Sequence, residues 1–162
     1  MVCLVPLPPA TLPSSDYSDS FLVESAVAYV PYANDVPIMT GFGVRVAGVH
    51  EVWTRVGFMP TGDDVRLGFG VFGYRAVLRP GRFARPVFGG FVAGLPETCG
   101  HDASGEPTCI RKRLFIVSAT GGLRLEPTRW LGVSTTLALG MDTYPNPFGM
   151  IELGLTFALP LS

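Results

Sequence analysis

The chain has 162 residues and a mass of 17.3 kDa, room for one domain of ordinary size. Hydrophobic residues make up 48% and charged residues 15%, where a soluble domain typically carries roughly a quarter charged. So apolar a chain is not disordered, a net charge of −1 excludes non-specific nucleic-acid binding, and no apolar run approaches the ~18–20 residues of a membrane-spanning helix.

In chain order, residues 1–20 are rich in Pro and Ser and show no period. They read as a flexible leader or tail, or the remnant of a signal, because Pro6, Pro8 and Pro9 break the apolar stretch and no basic region precedes it. A β-domain is expected over 21–162. Gly or Pro interrupts every candidate helix, and a period of two takes over. The alternation predicts strands at about 21–30, 40–48, 52–59, 64–78, 86–96, 112–125, 129–141 and 148–160, separated by turn signals such as PTGDD, RPGR, EPTR and DTYPNP. An all-β meander of eight strands follows.

Alternation alone fits any half-buried sheet, so the second face must decide. In Leu131–Met141 the odd positions are Leu131, Val133, Thr135, Leu137, Leu139 and Met141, and the even ones are Gly132, Ser134, Thr136, Ala138 and Gly140. Ile151–Leu159 and Phe115–Leu125 repeat the pattern. A face that met water would be crowded with Lys, Glu, Gln or Asn. Small residues instead suit the interior of a narrow barrel, which turns the bulky side chains outward, a surface tolerable in lipid. Arg75 is expected as the exception on the outward faces, near a membrane interface where it can snorkel, with Gly73 marking a bulge. Loop parity agrees. The first, third, fifth and seventh connections hold Asp35, Asp63, Asp64, Glu97, Asp102, Glu106 and Asp142, and include the longest loop. The other end has short turns with Glu51 and Glu126 beside Arg79, Arg82, Arg85 and Arg129.

These features together resemble the small bacterial outer-membrane β-barrel family over roughly residues 21–160. The resemblance implies a closed antiparallel eight-stranded up-and-down transmembrane barrel. It further implies outer-membrane location, contact with outer-membrane lipid and lipopolysaccharide, and a monomer. Such folds host anchors, adhesins, lipid A-modifying enzymes and stabilisers of the lipid layer, so fold alone does not fix function. The terminal Pro160-Leu161-Ser162 departs from the aromatic ending usual in the family. A non-catalytic role without cofactors is expected, with any extracellular partner meeting the acidic loop end. The alternatives are a soluble barrel or sandwich holding a small apolar ligand, and a lipid A-modifying enzyme.

Six charges fall on the inward faces: Glu24, Arg45, Arg55, Arg66, Arg124 and Glu152. A narrow dry lumen holds charges only as hydrogen-bonded pairs. Glu24 is therefore matched with Arg45 or Arg55, and Glu152 with Arg66, as a structural plug rather than a gated polar path. Gly68-Phe69-Gly70-Val71-Phe72-Gly73 matches a dinucleotide-binding fingerprint but opens no helix, so its glycines are read as relieving crowding inside the barrel. Cys99 and Cys109 bracket the longest loop and are expected to form a disulfide; a metal site with His101 and Asp102, or free thiols, are the alternatives, and Cys3 is left over. Arg111, Lys112 and Arg113 form either a solvated rim or a cradle for lipopolysaccharide phosphates. Tyr29, Tyr32, Phe58, Phe115, Trp130 and Phe148 are candidates for interfacial aromatic girdles. Catalytic material is thin: His50 sits in a short turn, and His101, Asp102 and Ser104 crowd one loop without a recognisable motif.

Overall fold

A computed structural model describes residues 19–31, 36–61, 64–79, 82–95, 98–101, 107–111 and 114–161; of these, 59–61, 64–67, 95, 98–101, 107–111 and 114 are described for the backbone only. The described residues form ten strands: β1 (Ser20–Tyr29), β2 (Ile38–Val46), β3 (His50–Thr61), β4 (Asp64–Val77), β5 (Ala84–Leu95), β6 (Thr98–His101), β7 (Pro107–Arg111), β8 (Leu114–Thr128), β9 (Leu131–Asp142) and β10 (Pro147–Pro160). Eight of them close a barrel in the order β1-β10-β9-β8-β5-β4-β3-β2, with every neighbour antiparallel. Closure removes the open edges of the eight-stranded sheet, which an open sheet of this outer chemistry could not satisfy. The segment expected as one long loop contains a two-stranded hairpin, β6–β7, between β5 and β8. Its backbone register sets Cys99 opposite Cys109.

The eight barrel strands fall where the alternation put them, with edges shifted by three residues at most, some outward and some inward. Local chemistry fixes the turns. Ala47 and Gly48 both adopt left-handed φ, 52° and 65°, as a tight hairpin turn between right-twisted strands demands. Asp19 Oδ1 accepts the Ala47 N–H at 2.9 Å and ties the start of β1 to that turn. Between β9 and β10, Asp142 Oδ1 accepts the N–H groups of Tyr144 and Asn146 at 2.8 and 3.0 Å. Three connections and both strand termini, Ser20 and Pro160, lie at one end, here the turn end; the other four connections, including the hairpin, lie at the loop end.

The phase of β4 differs from expectation. Phe69, Val71, Gly73, Arg75 and Val77 point inward, while Phe72 and Tyr74 point outward. The bulge lies at Gly68, which is skipped between the pairs Gly57↔Phe69 and Phe58↔Leu67, rather than at Gly73. Both faces of β4 are apolar, so a period of two carries no direction there; neighbouring strands set it. A Cβ on Gly73 would lie 2.2 Å from the Trp53 ring, so Gly73 is the slot into which that ring fits. Gly57 gives Phe69 the same room, at 2.3 Å.

Candidate functional site

The lumen divides into two halves of opposite chemistry. Towards the turn end, nine charged side chains are buried: Glu24, Glu51, Glu126 and Glu152 with Arg45, Arg55, Arg75, Arg85 and Arg124. They form one chain of ion pairs. Glu152 meets Arg55 Nη1 at 2.9 Å, a charge contact without hydrogen-bond alignment, and Arg55 Nη2 reaches Glu24 at 2.8 Å. Arg75 bridges Glu24 and Glu51. Glu51 takes Arg45 Nε at 2.8 Å and a fork from Arg124, Nη1 at 2.6 Å and Nη2 at 3.1 Å. Glu126 receives Arg45 Nη2 at 2.9 Å and Arg85 Nη1 at 2.7 Å. Burial makes each unpaired charge cost several kcal/mol, and interleaved forks are what offset that cost.

Arg85 closes this half. Its Nη2 donates to the carbonyls of Gly48 and Val77 at 2.8 and 2.7 Å, and its Nε donates to the Leu78 carbonyl at 3.2 Å. Gly48 belongs to the β2–β3 turn, so a guanidinium on β5 latches that turn across the mouth of the barrel.

Towards the loop end the lumen is apolar, with Ala26, Ala28, Met39, Phe69, Val71, Phe91, Ile116, Phe148 and Met150 in one buried cluster. Trp53 is the seam between the halves. The Arg55 guanidinium lies 4.3 Å above its ring, and its other neighbours are Phe91 at 6.3 Å and, beyond that, Phe148 edge-on to Phe91. Its Nε1 is buried without a hydrogen-bond partner among the described residues.

Outside, the chemistry reverses. Phe42, Phe72, Phe88, Val117, Leu137, Leu139, Ile151, Leu153 and Phe157 are exposed, Leu153 at 59% against 3% for the inward Thr156 three positions on. Among the described side chains no Asp, Glu, Lys or Arg points outward from a barrel strand. Strands of about twelve residues at ~3.3 Å rise and ~40° tilt give an apolar band on the order of 30 Å high, near the thickness of a hydrocarbon layer.

The structure brings together five of the six expected lumen charges: Glu24, Arg45, Arg55, Arg124 and Glu152. Glu24 takes Arg55, one of its two expected partners. Glu152 takes Arg55 among the described residues, and the side chain of Arg66 lies outside them. Arg75, expected to snorkel outside, is instead buried inside, because Glu24 and Glu51 are its counter-charges there. Glu51, Arg85 and Glu126, read as turn residues, belong to the network. A signal for one existed: Arg45 and Glu51 stand equidistant from Gly48 and pair directly across the hairpin, and Arg75 faces Glu51 on the next strand. Phe148 is buried in the lumen, not in an outer girdle, whereas Tyr29, Phe115 and Trp130 are exposed, Phe58 is half-buried and Tyr32 lies outside the described residues. His50 begins β3, and its Nδ1 lies 2.6 Å from the Tyr74 hydroxyl on the outer face. The side chains of Cys99, His101, Cys109 and Arg111, together with residues 1–18, Asp102, Ser104, Lys112 and Arg113, lie outside the described residues. Among the described residues no three His, Cys, Asp or Glu side chains gather as a metal site.

Comparison with known proteins places the fold and nothing finer. No protein-family model matches the chain, and no curated protein matches it. The N-terminal β-barrel domain of OprF from Pseudomonas aeruginosa superposes with a TM-score of 0.60 at 15% identity, covering 88% of this chain and 98% of that one. A de novo designed transmembrane β-barrel superposes with a TM-score of 0.51 at 10% identity, covering 94% and 98%. The closed eight-stranded antiparallel barrel expected from the sequence is the fold found.

Proposed function

We propose that this chain is an integral protein of a bacterial outer membrane whose role is non-catalytic: a monomeric barrel that anchors in and maintains the lipid layer. The observation that carries the proposal is the inversion of chemistry across the barrel wall, with nine charges inside and none among the described outward strand positions. A soluble barrel needs the reverse arrangement. A charge facing lipid at mid-depth costs about 2–4 kcal/mol, which accounts for an outer face free of charge. The likeness to a designed transmembrane barrel supports the same reading at the level of fold.

The lumen is read as a plug. The Arg85 latch at one mouth and the aromatic cluster towards the other favour filling over transport. At the loop end, a Cys99–Cys109 disulfide is proposed from the opposed register of β6 and β7. Contact of Arg111, Lys112 and Arg113 with lipopolysaccharide phosphates, and adhesion of an extracellular partner to the acidic loops, extend the proposal. Neutralising the three cations should lower co-purifying lipopolysaccharide; unchanged retention removes that contact.

The decisive experiment is fractionation. The chain should sediment with membranes, need detergent for extraction, and migrate differently on a gel when unheated. Recovery in the soluble fraction without detergent overturns the proposal.

A further inference from the structure

At mid-height, where the charged and apolar halves of the lumen meet, one ion pair is incomplete. The Arg55 guanidinium is fixed in two ways. Its Nε and Nη2 both reach Glu24 Oε2, at 2.9 and 2.8 Å, and the Trp53 ring lies against its face at 4.3 Å. A planar group held so cannot turn its third nitrogen to suit another partner. Nη1 therefore stands 2.9 Å from Glu152 Oε1 without hydrogen-bond alignment, buried and with no hydrogen-bond partner among the described residues. Glu24, Glu51 and Glu126 are each shared by two or more arginines, whereas Glu152 has this one contact among the described residues. The Glu152 side chain also keeps 7% of its surface open, against none for Glu24 and Glu51. It sits midway along β10, so within a closed barrel that opening faces the lumen.

The far wall of the opening is a hydroxyl. Ser134, 3% exposed, stands opposite Gly154 on the neighbouring strand. A Cβ on Gly154 would meet Ser134 Oγ at 2.8 Å and Glu152 Oε1 at 3.4 Å, so the glycine leaves a gap that both oxygens border.

We propose that this gap binds one ordered water molecule, which accepts from Arg55 Nη1, donates to the Glu152 carboxylate and bonds the Ser134 hydroxyl. Three polar partners are what a buried water typically engages. The charges select against other occupants. A cation would sit beside Arg55, in a lumen where five buried arginines face four buried glutamates among the described side chains, and an anion would sit beside Glu152. A neutral molecule that both accepts and donates suits a donor and an acceptor set side by side. The low dielectric around them makes each unmade bond costly. The water completes the link of the charge network that direct contact leaves open, and ties it to a neutral side chain on β9. The inference needs only the closed lumen, so it stands or falls apart from the proposed membrane role.

The test is a crystal structure of the full chain, refolded in detergent and crystallised from rubidium bromide, at a resolution that shows ordered water. A density peak should lie within about 3.2 Å of Arg55 Nη1, a Glu152 carboxylate oxygen and Ser134 Oγ. It should give no anomalous signal at the rubidium or the bromine edge. A signal at either edge makes this an ion site and overturns the proposal, and so does the lack of any peak. In Gly154→Ala the added methyl enters the gap, so the peak should be lost while the fork between Arg55 and Glu24 stays in place. A peak that persists in that variant overturns the assignment. If Gly154→Ala does not refold, the native crystal decides the question by itself.

Discussion

The two halves of the lumen fill the same narrow tube by different means. The turn half uses charge: four glutamates interleaved with five arginines, each carboxylate shared by at least one fork. The loop half uses shape: rings and branched chains seated against glycines and alanines. The difference teaches where tolerance should lie. A charge network is all-or-none, because removing one member strands its partners in a dry interior. An apolar cluster loses stability in proportion to the volume removed.

That contrast can be broken at Glu51, which binds Arg45, Arg75 and Arg124. Glu51→Gln keeps the shape and removes the charge, and should cost about 3–5 kcal/mol in urea unfolding from lipid vesicles. Adding Arg124→Met to it should cost much less than the sum of the two single losses, since each removes the other's stranded partner. Simple additivity would show that the network is not the unit described here.

In the loop half, Met39→Ala should cost about 2–5 kcal/mol, whereas Met39→Leu, which conserves volume, should cost less than about 1.5 kcal/mol by the same unfolding assay. Equal losses for the two would contradict filling by shape. The smallest effect is expected at the seam. Because Trp53 Nε1 has no described partner, Trp53→Phe forfeits no hydrogen bond and should change stability by less than about 1.5 kcal/mol, chiefly through the weakened contact with the Arg55 guanidinium. A larger loss would mean that the indole N–H is engaged in the folded barrel.

The comparison also explains what the sequence could and could not show. Strands β9 and β10 were legible because one face is bulky and the other small along most of their length, and the parity of the connections followed from them. Glu24 with Arg55 was legible for the same reason, since both stand on inward faces with clear phase. β4 was not legible: where the lumen is packed with Phe69 and Val71 and the outside with Phe72 and Tyr74, both faces are greasy and alternation loses its amplitude. Phe148 was misplaced because a ring near a strand end has the same signature in a girdle as in a core. Glu51, Arg85 and Glu126 sit at strand ends that run further than the turn signals suggested, so they read as turn residues although their side chains reach back into the lumen. No strand periodicity shows that a bulky residue fills one half of a tube and a charge the other; that depends on which neighbours closure brings across the axis.

The outer face can be tested most directly with nitroxide labels at Leu137 and Leu153, on neighbouring strands, after reconstitution into bilayers. Both sites should be accessible to dissolved oxygen and shielded from a water-soluble nickel chelate, with Trp130 at the rim showing the opposite bias. Chelate access at Leu137 and Leu153 equal to that at Trp130 would contradict a lipid-facing wall.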